Sequence, residues 1–385
     1  MSGDSDPFDV KDRYIVTLKP KADVAKHMRF VHNLHHNAQV NGKPGGIFTG
    51  ISRRYKLGNF RGYSGHFDQS VIDSLKHRKD VAAVEADQLG TNIESDQHQD
   101  LVKQIHATWG LHHISHHDDK ERGVYWFDKS AGNGTIGYVI DGGIRATHNE
   151  FGHRVSLAYN AIKSSYPFED TDGHGTHVAS LMCGKLLGVA KKCRIKAIKV
   201  THQGTTTMGT LIDGFAWAAE DIIFEHQTAK AVINVSIGGP FSSALNYAVN
   251  EAYKMGVATI VAAGNENSDA RRWSPSSAYG AIPVGATNAQ RTRAPFSNYG
   301  TAVALFAPGV CILGASHLGD KKARFMTGTS MASPYVAGLA LYFKALEKLP
   351  DARSTRKFLQ KVATPGVVRD TNSANNLFAY NNCGK

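Results

Sequence analysis

Downstream of Trp109 the chain alternates short apolar runs with longer helical stretches, and this alternation constrains the fold more than any other feature. Apolar runs of roughly four to eight residues are typical of strands that are buried on both faces. The candidate strands are residues 135–140, 195–200, 231–237 and 257–262. Strands separated by helices predict an α/β fold with a doubly wound, mostly parallel sheet and helices on both faces.

The first part of the chain has a shorter pattern. Its candidate elements are a strand at 13–18, a helix at 21–40, a strand at 62–67, a helix at 70–78 and a strand at 81–86. This pattern predicts a small α+β domain of the ferredoxin-like type. The first of its helices carries four histidines, which we expect to be solvated: His27, His32, His35 and His36. The alternative is that their protonation below about pH 6.5 loosens this domain.

Composition divides the chain into four segments. Residues 1–12 are predicted to be a disordered tail, and residues 13–88 form the small α+β domain. Residues 89–106 are polar and aperiodic, which is typical of an exposed linker that proteases can cut. Residues 107–385 then form the α/β domain.

Charge and hydropathy limit the partners of the protein. The net charge of +11 comes from basic residues that are scattered along the chain, so we expect no nucleic-acid partner. No apolar run reaches the roughly 18 residues of a membrane-spanning helix, so we expect no membrane partner. Separately, we expect the protein to be a monomer. The acidic, polar start lacks the basic and apolar regions of a signal peptide, so we expect either that the protein stays inside the cell or that the given sequence lacks its true N-terminus, and the location stays open.

The spacing of the cysteines and histidines decides whether the chain carries a metal-binding or redox motif. The four cysteines include no Cys-x-x-Cys pair: Cys183, Cys193, Cys311 and Cys383. We therefore expect four free thiols. A histidine cluster at residues 112–117, beside Asp118 and Asp119, is predicted to lie in loose polar sequence, with metal chelation as the alternative.

Three polar residues stand where predicted strands end or helices begin. Asp141 ends a strand in Tyr-Val-Ile-Asp-Gly-Gly, His174 opens a helix in Asp-Gly-His-Gly-Thr-His, and Ser330 opens another in Gly-Thr-Ser-Met-Ala-Ser-Pro. A serine hydroxyl becomes a good nucleophile only when an imidazole takes its proton, and a carboxylate must orient that imidazole. This chain order is that of one known version of the catalytic triad. Asn265 follows another strand and is placed to donate its amide to an oxyanion, together with the Ser330 backbone N–H.

These motifs resemble those of the subtilisin-like serine proteases, in particular the proteinase K group. Nearly the whole chain is covered, since matches extend from Trp109-Gly-Leu to Leu377-Phe-Ala-Tyr-Asn-Asn. Residues 13–88 resemble the inhibitory propeptide of that family, which is also an intramolecular chaperone. The resemblance implies a serine endopeptidase made as a zymogen, with an autocatalytic cut in the linker. It also implies a secreted or vacuolar location as the alternative to an intracellular one.

The resemblance assigns a role to each residue that matches a family motif. It implies that Asp141 orients the imidazole, that His174 is general base and then acid, and that Ser330 attacks through an acyl-enzyme. Asn265 and the Ser330 amide are the implied oxyanion donors. The resemblance implies that two segments pair with the substrate peptide and line the pocket for the residue before the scissile bond: Ser236, Ile237, Gly238, Ala262, Ala263 and Gly264. Their small, uncharged side chains predict a broad or apolar and aromatic preference, and the implied partners are protein or peptide substrates and the propeptide itself.

No cofactor is expected. The family's main calcium site uses a carboxylate whose position falls at Ala304 in this chain, so the resemblance implies no tight calcium binding there. Residues 132–137 fit the dinucleotide pattern Gly-x-Gly-x-x-Gly, but that pattern must follow a strand and open a helix. Here it precedes the strand that ends at Asp141.

Two other functions stay open from the sequence. An acyl-enzyme that is passed to an amine makes a peptide ligase or a dedicated maturase of one precursor. The other alternative is a catalytically silent binding protein with a protease fold. Such a protein does not need the full set of Asp141, His174, Ser330 and Asn265.

Overall fold

The structure is a computed structural model that describes residues 11–41, 48–57, 60–87, 100–118, 121–162, 168–372 and 375–384. Its contacts divide the chain into two compact units, residues 1–97 and residues 98–385. Residues 1–10 of the predicted tail and residues 89–99 of the predicted linker lie outside the described residues.

The first unit is a four-stranded antiparallel sheet with two helices. The strands are β1 (Arg13–Leu18), β2 (Gly50–Leu57), β3 (Phe60–His66) and β4 (Val81–Ala86), and the helices are α1 (Val24–Asn41) and α2 (Gln69–Lys76). The strand order is β2-β3-β1-β4, and the three pairings are antiparallel. The prediction of a small α+β domain is confirmed. The sequence does not predict β2, because Arg53 and Arg54 interrupt its apolar pattern.

One histidine of α1 is buried, although all four were expected to be solvated. His27 is 0% exposed, and its two ring nitrogens contact Asp80 Oδ2 and Tyr63 Oη at 3.0 Å each. Burial lowers the pKa of His27, although the Asp80 carboxylate opposes that effect. Val31, one helical turn further along, is buried as well, so His27 lies on the inward face of α1.

The second unit contains the remaining elements. Its strands are β5 (Leu101–Ile105), β6 (Val124–Asp128), β7 (Ile136–Asp141), β8 (Val155–Asn160), β9 (Arg194–Lys199), β10 (Ala231–Val235), β11 (Gly239–Pro240), β12 (Ala258–Ala262), β13 (Trp273–Ser274), β14 (Ala281–Thr287), β15 (Leu305–Pro308), β16 (Ile312–Ala315), β17 (Ala323–Met326), β18 (Thr364–Pro365) and β19 (Leu377–Phe378). Its helices are α3 (Trp109–His113), α4 (His174–Cys183), α5 (Met208–Phe224), α6 (Ser243–Lys254), α7 (Thr329–Leu346) and α8 (Ala352–Val362), with a 3₁₀ turn at Ala270–Arg272.

A nine-stranded sheet organises this unit, in the order β18-β19-β15-β14-β12-β10-β7-β9-β8. Every pairing in it is parallel except that of β18 with β19. Val139 belongs to the apolar cluster that includes α4 and α7, whereas Tyr138 and Ile140 belong to the cluster that includes α5 and α6. Because neighbouring residues of a strand point to opposite faces, helices cover both faces of the sheet. The predicted doubly wound, mostly parallel α/β fold is confirmed.

The end of the predicted linker is a strand. Residues 101–105 form β5, which pairs antiparallel with β6 from Leu101 opposite Asp128 to Ile105 opposite Val124. The linker prediction is therefore wrong for these residues. Alternate residues of β5 exchange backbone hydrogen bonds with β6, a pairing that local composition does not reveal.

The prediction of four free thiols is also wrong. Cys183, at the end of α4, and Cys193 form a disulfide with Cα atoms 5.7 Å apart. Cys311 is an exposed thiol, and the buried Cys383 Sγ donates to Ser115 O at 3.0 Å. The bridge closes a short loop whose two ends meet because α4 and the start of β9 pack against each other.

Three of the four histidines at residues 112–117 are buried, although this segment was predicted to be loose polar sequence. His112, His113 and His116 are buried on or just after α3. His112 Nδ1 contacts Val124 O at 3.1 Å, and His116 Nδ1 contacts His112 O at 3.0 Å. In the described ranges no group of three His, Cys, Asp or Glu side chains is arranged to hold a metal ion. Asp119 lies outside those ranges.

Candidate active site

Asp141 and His174 form the best-defined polar contact at the carboxyl edge of the sheet. Strand β7 is buried along its length and ends at Asp141, whose side chain is almost fully buried. Both of its carboxylate oxygens lie 2.9 Å from His174 Nδ1, and Oδ1 also accepts from Gly142 N at 2.8 Å. The imidazole is therefore held by one edge, and Nε2 is left to face the cavity.

Two further aspartates place His174 at the first position of α4. Gly173 precedes it with φ 83°, a conformation that favours glycine. Asp172 Oδ1 accepts from His174 N at 2.8 Å. Asp170 accepts from Gly173 N and Thr176 N, each at 2.8 Å. The sequence analysis did not single out these aspartates, although their spacing before the helix is a recognisable capping signal.

The electrostatics favour a protonatable imidazole. Burial disfavours the charged form of His174, but the carboxylates of Asp141, Asp172 and Asp170, with Asp141 contributing most, together outweigh burial and raise the pKa of His174 above its ordinary value. Lys199 lies on the neighbouring strand β9 and is fully buried. Its Nζ donates to Glu169 O at 2.9 Å and to Gly142 O, which holds the turn that follows Asp141.

Ser330 lies in the first turn of α7, a helix that is buried from Thr329 through Lys344 apart from Ser330 itself, which is partly exposed. Its Oγ donates to Ser236 O at 3.0 Å. Ser236 Oγ in turn donates to Ser330 O at 3.0 Å and shares a hydrogen bond with Ser333 Oγ at 2.9 Å. The carboxyl end of β10 and the start of α7 are thus joined at the serine.

Asn265 follows β12, and hydrogen bonds hold the oxygen of its side-chain amide. Its Oδ1 accepts from Thr329 N at 2.8 Å and from Thr329 Oγ1 at 2.9 Å. Thr329 Oγ1 also accepts from Gly264 N at 3.1 Å. Because Oδ1 is occupied in this way, the Nδ2 donor of Asn265 is directed toward the cavity beside Ser330.

A cavity of about 490 Å³ brings together all ten residues that the sequence singled out. The predicted chemical residues lining it are Asp141, His174, Asn265 and Ser330. The predicted substrate-binding residues lining it are Ser236, Ile237, Gly238, Ala262, Ala263 and Gly264. Their positions follow from the fold, because β7, β10 and β12 are neighbours and end at the same edge.

The cavity has further walls that the sequence analysis missed. Asp172, Glu266 and Arg324 add charged groups, and Trp273 and Met326 add large side chains. Glu266 Oε2 accepts from Asn298 Nδ2 at 2.7 Å. Trp273 lies on β13, and Arg324 and Met326 lie on β17; no local motif in the sequence points to these three residues as cavity walls.

The position that the family uses for its main calcium ligand does not fit a metal here. Ala304 is buried and offers only a methyl group, and its backbone N–H donates to Pro283 O at 2.9 Å. The methyl side chain of Ala304 has no oxygen, so this position does not supply the carboxylate that the resemblance implies for calcium. We derive no step through a metal.

The fold and this cavity define an α/β serine hydrolase whose site lies at the carboxyl edge of a parallel sheet. The chain belongs to the Subtilase family, whose model matches residues 87–380. A second model, Peptidase inhibitor I9, matches residues 13–91. The resemblance drawn from the motifs is confirmed over nearly the whole chain.

Curated relatives and a solved structure agree with this membership. The chain is 43% identical over 374 residues to Alkaline protease 1 of Aspergillus flavus, which covers 96% of this chain and 91% of the relative. It is 40% identical over 382 residues to Alkaline proteinase of Hapsidospora chrysogena, covering 97% and 93%. The solved structure of a cold adapted subtilisin-like serine proteinase matches with a TM-score of 0.67 and 35% identity, over 72% of this chain and 98% of that one.

The protein is therefore a subtilisin-like serine endopeptidase that is made as a zymogen with an I9 propeptide domain. The predictions of an enzyme, of protein substrates and of inhibition by the propeptide are confirmed at this level.

Proposed function

We propose that Ser330 is the nucleophile, that His174 is general base and then acid, and that Asp141 orients His174. The observation that carries this assignment is the pair of 2.9 Å contacts from His174 Nδ1 to the Asp141 carboxylate, in a cavity that Ser330 also lines. A carboxylate on Nδ1–H leaves Nε2 as the proton acceptor and stabilises the imidazolium that forms. Ser330 Oγ must turn from Ser236 O toward His174 for the reaction to begin.

The reaction then follows acyl-enzyme chemistry. Ser330 Oγ attacks the carbonyl carbon of the scissile peptide, and its proton moves to His174 Nε2. His174 passes the proton to the leaving amine, and a water molecule repeats the sequence to release the acid. We assign the stabilisation of the oxyanion to Asn265 Nδ2 and to the Ser330 N–H, which is among the helix-start amides without an intrahelical acceptor.

Intact-protein mass spectrometry of the full chain tests this assignment. We expect the wild type to split into two fragments, and Ser330→Ala to stay whole and to resist labelling by a fluorophosphonate. Turnover is expected to fall by about 10⁶ in Ser330→Ala, a magnitude taken from subtilisin itself. Asn265→Ala is expected to cost about 10² to 10³ in kcat, again a subtilisin value. A loss below tenfold in Ser330→Ala contradicts the mechanism, and joined rather than cleaved peptides indicate a ligase.

We propose an apolar or aromatic preference for the residue before the scissile bond. The cavity is lined by two uncharged segments, Ser236–Gly238 and Ala262–Gly264, in which every side chain except Ile237 is small, and this lining suits a large neutral group. The carboxylates that line the cavity each have a protein partner: Asp141 contacts His174, Asp172 accepts from His174 N, and Glu266 accepts from Asn298. Peptide anilides that differ only in Phe, Lys or Glu at this position test the proposal, with the highest kcat/KM expected for Phe.

We propose that maturation cuts the chain before β5. A cut inside residues 101–105 destroys the pairing with β6, whereas a cut upstream preserves it. The fragment masses in the same experiment locate the bond. Fragments that end within 101–105 contradict this placement.

We propose an oxidising compartment for the mature enzyme, in line with the secreted or vacuolar alternative. The Cys183–Cys193 disulfide supports this proposal, because disulfides persist outside the reducing cytosol. None of the helices in the described part of the chain has the length and apolar character to cross a bilayer. Fractionation of the source cells and their medium, followed by immunoblotting, tests the location.

A further inference from the structure

The segment that carries Asn265 is held by one side chain from a distant loop. Asn298 is 0% exposed and lies in the loop between β14 and β15. Its Nδ2 donates to Ala263 O at 3.0 Å and to Glu266 Oε2 at 2.7 Å. Its Oδ1 accepts from Glu266 N at 3.1 Å and from Ser268 N at 2.9 Å.

These contacts lie on both sides of Asn265. Ser268 Oγ also donates to Asn298 Oδ1 at 3.4 Å, and the backbone N–H of Asn298 adds a sixth bond, to Gly264 O at 3.0 Å. Residues 263, 264 and 266 are therefore each tied to Asn298, while Asn265 itself is tied only through its side chain to Thr329. The direction of the Asn265 amide depends on the turn that Asn298 holds.

We propose that Asn298 is a positioning residue for the oxyanion donor Asn265, an inference that rests on the proposed role of Asn265. An oxyanion donor must lie about 2.7–3.1 Å from the position that the oxyanion will occupy. A shift of about 1 Å in that donor lowers the rate strongly without changing how substrate binds. Asn298 acts through Asn265 and makes no contact with the reacting atoms.

Only an amide side chain satisfies this site. Ala263 O and Glu266 Oε2 need a donor, whereas the N–H groups of Glu266 and Ser268 need an acceptor. An aspartate at position 298 keeps the acceptor but places a second carboxylate against Glu266. Serine or alanine at this position does not reach both sides of the turn.

The loop that carries Asn298 is itself braced. The buried guanidinium of Arg293 donates to Ser297 O at 2.7 Å, directly before Asn298, and to Asn267 Oδ1 at 3.0 Å. Arg293 Nε also donates to Asp370 O at 2.8 Å. Arg293 thus connects the two loops at a second point, and this connection holds the Asn298 side chain beside residues 263–268.

A double-variant experiment on the full chain tests this inference, with activity measured after self-processing. We expect Asn298→Asp to lower kcat by about 10- to 100-fold, below the loss from removing the donor itself, with KM changed less than about threefold. The affinity for a peptide boronic acid, which mimics the tetrahedral intermediate, is expected to fall by the same factor as kcat. Adding Glu266→Gln removes the carboxylate pair and is expected to restore kcat to about three- to fivefold below that of Glu266→Gln alone.

Asn376→Asp is the matched control. Asn376 also donates and accepts at once, to Val368 O at 2.8 Å and from Val368 N at 3.0 Å, and it lies outside the cavity. The inference is overturned if Asn298→Asp loses no more kcat than Asn376→Asp, or if KM rises while kcat is kept. It is also overturned if the double variant equals Glu266→Gln, a comparison that holds even where Asn298→Asp alone does not fold.

Asn265→Ala separates this inference from the proposed function. If Asn265→Ala leaves kcat unchanged, the oxyanion assignment is wrong, and the role of Asn298 is lost with it. If Asn265→Ala lowers kcat but Asn298→Asp does not, only the inference about Asn298 is wrong. Thermal unfolding of each variant in the Ser330→Ala zymogen shows whether a loss of activity is a loss of fold.

Discussion

Ser236 and Ser330 are joined by two reciprocal hydrogen bonds, in which each hydroxyl donates to the carbonyl of the other residue at 3.0 Å. Pro334 explains why the Ser330 carbonyl is available. Proline has no N–H, so the carbonyl four residues earlier in α7 has no helical donor. Ser236 supplies the missing donor and fixes the backbone of the nucleophile to the end of β10.

Ser236→Ala is expected to make the position of the Ser330 backbone less well fixed. The Ser330 carbonyl loses its donor, a hydrogen bond that contributes about 0.5–1.5 kcal/mol to the free energy of unfolding, and we expect kcat to fall about three- to tenfold. Steady-state kinetics on a peptide anilide and urea unfolding measure the two effects. Ser180→Ala is the control, because the buried Ser180 hydroxyl donates to His177 O at 2.7 Å outside the cavity. If both variants lower kcat equally, the link to Ser330 has no special role.

The pH dependence of activity is expected to report the raised pKa of His174. The reaction needs neutral His174, so kcat/KM should rise with pH and reach half its plateau above about pH 6.5, the ordinary value for histidine. Asp141→Asn removes the main group that raises this pKa, and its midpoint should be lower, with kcat reduced by about 10⁴. Asp172→Asn should lower the midpoint less. A wild-type midpoint below that of Asp141→Asn would falsify the assignment.

Lys191 is expected to make the second unit more stable as the pH rises. Its Nζ donates to Leu186 O at 3.1 Å and Gly188 O at 2.8 Å inside the disulfide loop, and burial lowers the pKa of Lys191 to about 7. The unfolded chain keeps that proton up to about pH 10.4, so between these values the unfolded state binds more protons. Relative to Lys191→Met, stability should rise by up to about 1.4 kcal/mol per pH unit across this range.

Urea unfolding of the Ser330→Ala zymogen between pH 7 and pH 10 measures this slope. Tryptophan fluorescence reports on the second unit alone, because all four tryptophans lie there. Lys192→Met, at an exposed neighbour, should keep the wild-type slope. Identical slopes in wild type and Lys191→Met would rule the prediction out.

The first unit is expected to weaken in acid because of His27. Its pKa is lowered in the folded unit, so the neutral form is favoured by folding and the stabilisation is complete above about pH 6.5. The stabilisation is lost as the pH falls below that value, where the unfolded chain takes up a proton more readily. Protection of the amides of residues 60–86 against hydrogen exchange, taken relative to the intrinsic exchange rate at each pH, should therefore be lower at pH 5 than at pH 7.5 in the Ser330→Ala zymogen. His27→Gln should reduce this difference and the exposed His36→Gln should not, and equal protection at both pH values in the wild type would contradict the mechanism.

Much of the fold and the cavity could be predicted from the sequence because their signals are local. A buried parallel strand is a continuous apolar run, and a polar residue directly after it must leave the sheet at the carboxyl edge. Asp141 and Asn265 were placed by this rule, and His174 and Ser330 by the glycine-bracketed starts of their helices. The fold then brings these ends together without further information.

The errors and omissions concern contacts between distant residues. Strand β5 is only five residues long and directly follows a polar segment, so its pairing with β6 is what identifies it as a strand. The cysteines show no motif spacing, although packing brings two of them together. His27 was expected in water because histidine is usually exposed, but its position on α1 faces the sheet. None of these partners can be read from neighbouring residues.

The sequence by itself determined the doubly wound fold, the family and the residue types that carry the chemistry, since strand patterns and motifs are properties of short segments. Only the tertiary structure decided how those residues are held. Ser236 and Ser330 are 94 residues apart, and Asn298 and Glu266 are 32 apart, yet each pair is bonded directly. Hydrogen bonds need donor and acceptor within about 3 Å in a suitable orientation, and for residues so far apart in sequence that geometry exists only after the sheet and helices have packed.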